Sequence, residues 1–374
     1  MTASHLHRDG PDNPFPGHRA LERRLGRTLP HQLGSNEGLD MPHRALAAHL
    51  GEPLAALARR YGDAESHELR RLLAARLGVD MAELTVDAGA DSLIALALRA
   101  FCDSGSTVIT SAGTYPTFRY FAEGHGCRLV KIGYRRDNHQ LAPDLDALRD
   151  AAHQHHARLV YLANPDNPGG HLHDDAAIAQ LRQELPADCR LLLDEAYHEF
   201  RPDSGDSQQP LPGVLRLRTF SKAYGLAGLR VGYAIAPADD IALLQKVRIH
   251  YAVSSVALEA ARIVLEHDDE MAEHVRAVIE RRERLAQQLG EAGGRVYPSA
   301  TNFVTVALGS AERAARVQRA LLTDGVIVHR PANSELDDVL RITAVEEALV
   351  PGRLRALEEA LEEDRAGDNT LGER

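Results

Sequence analysis

Cysteine is scarce in this chain: Cys102, Cys127 and Cys189 are the three among 374 residues, and none forms a CxxC pair. That argues against a disulfide framework or a thiolate metal site, and because each lies in or beside an apolar segment, buried thiols are expected. Long apolar runs are also missing. None approaches the ~20 residues that cross a bilayer, and Met1 to Gly10 is polar, without the apolar centre of a signal peptide. A membrane partner is therefore not expected, and a cytoplasmic location is. Basic charge is in deficit, with 43 Lys and Arg against 54 Asp and Glu. No basic tract carries interleaved aromatics, so a nucleic-acid partner is not expected either. Internal repeats are absent, and Gly225 to Gly232 does not spell GxGxxG, which leaves a dinucleotide site little support.

What is present is a core-forming composition, 44% hydrophobic, with length for two or three domains. The 19 histidines are scattered. Pairs such as His171/His173 and the group His153, His155 and His156 fall in polar loop-like or helix-surface sequence, so solvated side chains are expected and a metal is not. Between about Met81 and Ala236, short β-rich runs (106–110, 127–132, 158–163, 190–194, 214–220 and 230–236) alternate with amphipathic helical patterns. Several runs are apolar almost throughout, as in strands covered on both faces, which predicts a mainly parallel α/β sheet. The pattern at 65–77 puts Leu69, Leu72, Leu73 and Leu77 on one helix face, ended by Gly78. Beyond about Tyr251 a long helical pattern leads to isolated strands at 302–307, 326–329 and 340–343, a smaller α+β domain. The boundaries expected are 1–45 for an N-terminal arm, loose or partner-embracing, 46–265 for a large domain and 266–374 for a small one whose end is frayed.

The chemistry concentrates at Thr219-Phe220-Ser221-Lys222-Ala223-Tyr224-Gly225-Leu226-Ala227-Gly228-Leu229-Arg230. A hydroxyl three residues before a lysine, an arginine eight after it and small residues between suit an amine that reacts while its neighbours grip an anion. A Schiff base beside a phosphate is the chemistry suggested. Leu191-Leu192-Leu193-Asp194-Glu195-Ala196-Tyr197 puts an aspartate at the end of a buried strand, where open α/β sheets meet ligands. Ala88-Gly89-Ala90-Asp91-Ser92 offers backbone N–H groups at a helix start, where an anion is favoured, although Ser92 alone could be a cap.

These segments resemble the fold-type I pyridoxal phosphate (PLP) enzymes, and within them the histidinol-phosphate aminotransferase-like branch, from about Gly34 to Thr343. The resemblance implies an α/β/α sandwich with a seven-stranded, mainly parallel sheet plus a smaller α+β domain. It implies Lys222 as the Schiff-base lysine, Asp194 as the pyridinium partner, and Tyr197 and Asn167 as contacts to the ring oxygen. Ala90, Asp91, Thr219, Ser221 and Arg230 would hold the phosphate, and Tyr115, in Thr114-Tyr115-Pro116, would stack on the ring. Arg341 would take the substrate α-carboxylate, Asn36 would lie near the substrate entrance, and Tyr61, in Arg60-Tyr61-Gly62-Asp63, would reach the other subunit's cofactor in a homodimer with shared active sites. The implied activity moves an amino group from an amino acid to a 2-oxo acid. A PLP-dependent lyase, decarboxylase or cyclase on the same fold, or a regulatory PLP-binding domain, are the alternatives. Two departures stand out. Gly169 replaces the threonine of the Asn-Pro-x-Asn-Pro-Thr-Gly loop, which suggests a looser loop or room for an unusual substrate. His329-Arg330 stands where the family often has one arginine for phosphate-bearing substrates, with the register open.

Overall fold

The computed structural model describes residues 18–51, 53–137, 139–202, 209–331 and 335–362. Its centre is a sheet of seven strands: β1 (Leu84–Asp87), β2 (Thr107–Ser111), β3 (Arg128–Ile132), β4 (Leu159–Ala163), β5 (Arg190–Asp194), β6 (Val214–Thr219) and β7 (Gly232–Ile235). Their order across the sheet is β1-β7-β6-β5-β4-β2-β3, and β7 alone runs antiparallel to its neighbours. Every residue of β4 and β6 is buried, because helices cover both faces. Leu192, Leu215 and Leu217 pack with Leu93 and Ala97 of helix Gly89–Phe101 on one side. Val160, Leu162, Leu191 and Leu193 meet Leu148, Ala152, Ile178 and Leu181 on the other. This is the expected α/β/α sandwich.

A second core gathers around an antiparallel sheet of β8 (Arg295–Tyr297), β9 (Phe303–Ala307) and β10 (Val339–Thr343). Helix Asp268–Glu291 joins the two bodies: Met271, Val275 and Val278 pack in the large domain's core, Leu285 and Leu289 in the small one's.

The stretch read as a loose arm has regular structure from residue 18 onward and is anchored at two leucines. It forms the helix His18–Leu25, fully buries Leu29 and Leu33, and runs His31–Gln32 parallel to Val326–Ile327. Two leucines four apart, without a longer period, hid this from the sequence. Residues 1–17 and 363–374, the rest of that arm and the frayed end, lie outside the described residues. Three further elements went unread: β1, only four residues long; β8, at the edge of the small sheet; and a hairpin pairing Tyr134–Arg136 with Leu141–Pro143, whose exposed arginines and terminal proline mimic a loop. Cys102 and Cys189 are buried as expected, while Cys127 is half-buried. His171 and His173 are half-buried too, packed edge to face, not solvated. Among the described residues no helix is long and apolar enough to cross a membrane.

Candidate active site

The C-terminal ends of β2, β4, β5 and β6 deliver Tyr115, Asn167, Asp194 and Lys222 to one edge of the sheet, where ligands of open α/β sheets bind. Lys222 follows β6, and its Nζ donates to the Ser35 carbonyl at 3.4 Å and stands 5.8 Å from the centre of the Tyr197 ring. Enclosure of the amine, with the Arg341 charge adding to it, brings its pKa down to about 8. Gly38 lies against the backbone of the lysine: a Cβ there would stand 2.8 Å from the Lys222 carbonyl oxygen.

Asp194, at the end of β5, is buried; it accepts from the Tyr161 hydroxyl at 2.7 Å and from the Ala196 N–H at 3.0 Å. Burial pushes its carboxyl up to about 6, against those two bonds. The next residue, Glu195, is buried between Arg216 (2.6 Å) and Arg218 (3.0 Å), which pins the turn.

Opposite Asp194, helix Gly89–Phe101 begins at Ala88 without a side-chain cap, so its first N–H groups face the cavity uncapped. Ser92 is not that cap; its hydroxyl donates to Asp87 at 2.6 Å. Asp91 accepts from the Tyr115 hydroxyl at 2.8 Å and from Arg230 Nη2 at 3.2 Å. Arg230 also reaches the Ser221 hydroxyl at 3.4 Å, and Ser221 is bonded to the Thr219 hydroxyl at 3.0 Å. Gly89 has φ +85°, and a Cβ on it would stand 2.9 Å from Arg230 Nη2.

Arg341 rises from β10 of the small domain. It donates to Asn167 Oδ1 and, at 2.6 Å, to the Gly34 carbonyl, while its buried Nε has no partner among the described residues. Asn36, buried and at φ +54°, donates to the Tyr197 hydroxyl at 2.9 Å and accepts from Thr343 at 2.9 Å. Two connected spaces result. An inner cavity holds Ala90, Asp194, Thr219, Ser221 and Arg230 in its walls. An outer cleft is lined by Leu21, Ile327, Val328, His329, Asn36 and Arg341. Tyr115, Asn167, Tyr197 and Lys222 line both.

Every expected site residue but one thus converges. Tyr61 lines neither space; it stands 85% exposed beside Tyr251. The pair left open by the sequence resolves: His329 faces the cleft, while Arg330 turns to Gln318 and the Asp337 carbonyl. Burial, then the Arg341 charge, hold the His329 pKa well below its usual value. Tyr161 and Thr343 went unread; the first sits inside an apolar strand and the second is a small β-branched residue at a strand's last position, so both read as ordinary strand residues.

The walls of the inner cavity carry an uncapped helix start with two hydroxyls and an arginine beside it, an amine, and a buried carboxyl. That donor set fits a phosphate, an aldehyde and a ring nitrogen, the three groups of PLP. Residues 31–357 match the family model described as aminotransferase class I and II. An aromatic amino acid aminotransferase of Nocardia farcinica is 38% identical over 83% of this chain and 86% of that protein. A histidinol-phosphate aminotransferase of Anaeromyxobacter sp. is 35% identical over 86% of this chain and 88% of its own length. The solved histidinol-phosphate aminotransferase of Sinorhizobium meliloti, in complex with pyridoxal-5'-phosphate, superposes with a TM-score of 0.85 at 34% identity, covering 93% of this chain and 94% of that one. The chain belongs to the class I and II aminotransferases and is a PLP-dependent amino acid aminotransferase.

Proposed function

We propose that this aminotransferase takes its amino group from α-amino acids with uncharged, apolar or aromatic side chains and returns it to a 2-oxo acid. The observation that carries this is the outer cleft. Arg341 is its one cation apart from Lys222 among the described residues, and the remaining wall, Leu21, Ile327, Val328 and a neutral His329, offers no charge to a side chain. A planar arginine fork suits a carboxylate, and an apolar wall suits an uncharged group. Arg330, the cation that could have met a phosphate, is engaged elsewhere. The name of the Nocardia relative supports the same class.

In this reading PLP supplies an aldehyde and an electron-withdrawing ring. Lys222 holds it and afterwards moves the proton at the substrate Cα, for which an amine titrating near 8 is well matched. Asp194, ionised above about pH 6, keeps the ring nitrogen protonated. Tyr197, steadied by Asn36, and Asn167, steadied by Arg341, serve the ring oxygen. Ala90, Asp91, Thr219, Ser221 and Arg230 form the phosphate end, and Tyr115 flanks the ring. The working unit is a homodimer in which Tyr61 serves the partner's site. A cytoplasmic setting and domain limits of 46–265 and 266–374 complete the proposal.

The test is a half-reaction: the PLP-loaded protein is mixed with phenylalanine, tyrosine, leucine, glutamate or histidinol phosphate without an acceptor, and the carbonyl product is measured. The neutral apolar and aromatic donors should react fastest. Preference for glutamate or histidinol phosphate would overturn the assignment.

A further inference from the structure

Asn167 and Arg341 belong to different cores, one on the loop after β4 and the other on β10, yet they are bonded to each other. Something must fix their spacing. The hairpin Tyr134–Arg136/Leu141–Pro143 touches both parents.

On the large-domain side, the Tyr134 hydroxyl donates to Asp166 Oδ1 at 3.0 Å, and Asp166 Oδ2 accepts from the Gly169 N–H at 2.7 Å. Asp166 immediately precedes Asn167 and is fully buried; burial lifts its carboxyl to about 7, while both of its side-chain partners are donors. The contact is also backbone to backbone. A Cβ on Gly169 would come within 2.3 Å of the Leu141 carbonyl oxygen and 2.7 Å of Asp166 Oδ2. The glycine that replaces the family's threonine therefore opens no room for substrate; hairpin and carboxylate already fill that space. His173 adds a second tie, its Nε2 lying 3.2 Å from the Pro143 carbonyl while its backbone exchanges bonds of 2.8 and 2.9 Å with the Asn164 side chain.

On the small-domain side, Arg136 grips Asp338 with both terminal nitrogens (2.8 and 2.6 Å) and donates to the Tyr297 hydroxyl at 2.9 Å. Asp338 lies on the chain just ahead of β10, three residues before Arg341. A bidentate arginine fixes direction as well as distance.

We propose that this hairpin is a brace that sets the position of Arg341 against Asn167, with Tyr134 and Arg136 as its positioning residues, and so tunes the seat of the substrate α-carboxylate. The inference rests on the reading of Arg341 as that seat. Direct ties remain, Thr305 to the Pro168 carbonyl (2.5 Å) and Ala300 to the Gly170 carbonyl (2.8 Å), so losing the brace loosens the seat without abolishing it.

The experiment compares Tyr134→Phe, Arg136→Gln, the double variant and Arg341→Lys, all loaded with PLP. Two quantities are read: calorimetric binding of the unreactive 3-phenylpropionate, and kcat and KM for the best amino acid. Each single brace variant should weaken carboxylate binding and raise KM roughly three- to tenfold while kcat changes less than about twofold, since the error is one of placement. The double variant should be no worse than either single one, because both act through one hairpin. Unchanged affinity with only a lower melting temperature would make the hairpin a plain staple, and so would additive losses; either overturns the brace. If Arg341→Lys left binding intact, the carboxylate seat and the brace would fall together. Arg136 is partly exposed, so its variant still decides the matter if Tyr134→Phe does not fold.

Discussion

An amine attacks an aldehyde only when it is neutral. A lysine near pKa 10.4 is neutral in roughly one molecule in a thousand at pH 7.5, whereas one near 8 is neutral in about a quarter. Lys222 falls in the second class because the protein encloses its amine, with the Ser35 carbonyl and the Tyr197 ring beside it, and Arg341 adds positive charge. The rate constant for capture of PLP by the cofactor-free protein should therefore climb about tenfold per pH unit below 8 and flatten above it. Stopped-flow absorbance measures this directly, and a climb that continued to pH 10 would refute the shift. At this scale the sequence was informative where chemistry sits at strand ends, as with Lys222, Asp194 and Asn167, because a polar residue closing an apolar run has few structural uses. It was silent on Tyr161, since a tyrosine inside an apolar strand reads as core. It was silent too on whether His329 or Arg330 faces the cleft, because that depends on where a short strand ends, at Ile327 with a single bridge at His329.

Elements position groups that no single residue could. Helix Gly89–Phe101 presents an uncapped N-terminus, and Arg230 crosses from the segment before β7 to stand beside it. The dipole and backbone N–H groups attract an anion, but the planar fork gives it direction. Arg230→Lys keeps the charge and loses the fork. Losing a hydrogen bond to a charged group costs about 1.5–3 kcal/mol, so the dissociation constant for PLP should rise roughly 10- to 100-fold. At saturating PLP kcat should change little. Equilibrium dialysis of PLP decides it, and an unchanged constant would remove Arg230 from the phosphate end. The segment 88–92 was legible as a helix start offering N–H groups, and the helix does begin there, at Gly89 with φ +85°. That turn carries the site. Long buried strands were legible because β4 and β6 must be apolar on both faces, while the Tyr134 hairpin, with two exposed arginines in one short strand and a proline in the other, had no such constraint.

At the scale of the whole molecule, Tyr61 is the residue that the single chain does not explain. It is 85% exposed, its ring lies 5.0 Å from that of Tyr251, itself 51% exposed, and Ile249 nearby in sequence is 63% exposed. Large apolar groups standing out together mark a contact surface, and a second copy of the chain is the occupant that the shared-site proposal names. Sharing has an arithmetic consequence. In a hybrid of a Lys222→Ala chain with a Tyr61→Ala chain, one site lacks both residues and the other has both. Random re-pairing makes half of the dimers hybrids, each with one intact site, so about a quarter of the wild-type activity should return. Lys222→Ala alone should be inactive, and Tyr61→Ala alone should be impaired when PLP is limiting. The two variants are mixed after gentle dissociation and assayed at limiting PLP. Recovery near a quarter establishes that Tyr61 acts across the interface. Activity equal to the mere average of the two parents would place Tyr61 in its own chain's service, or in none, and the shared site would have to be given up.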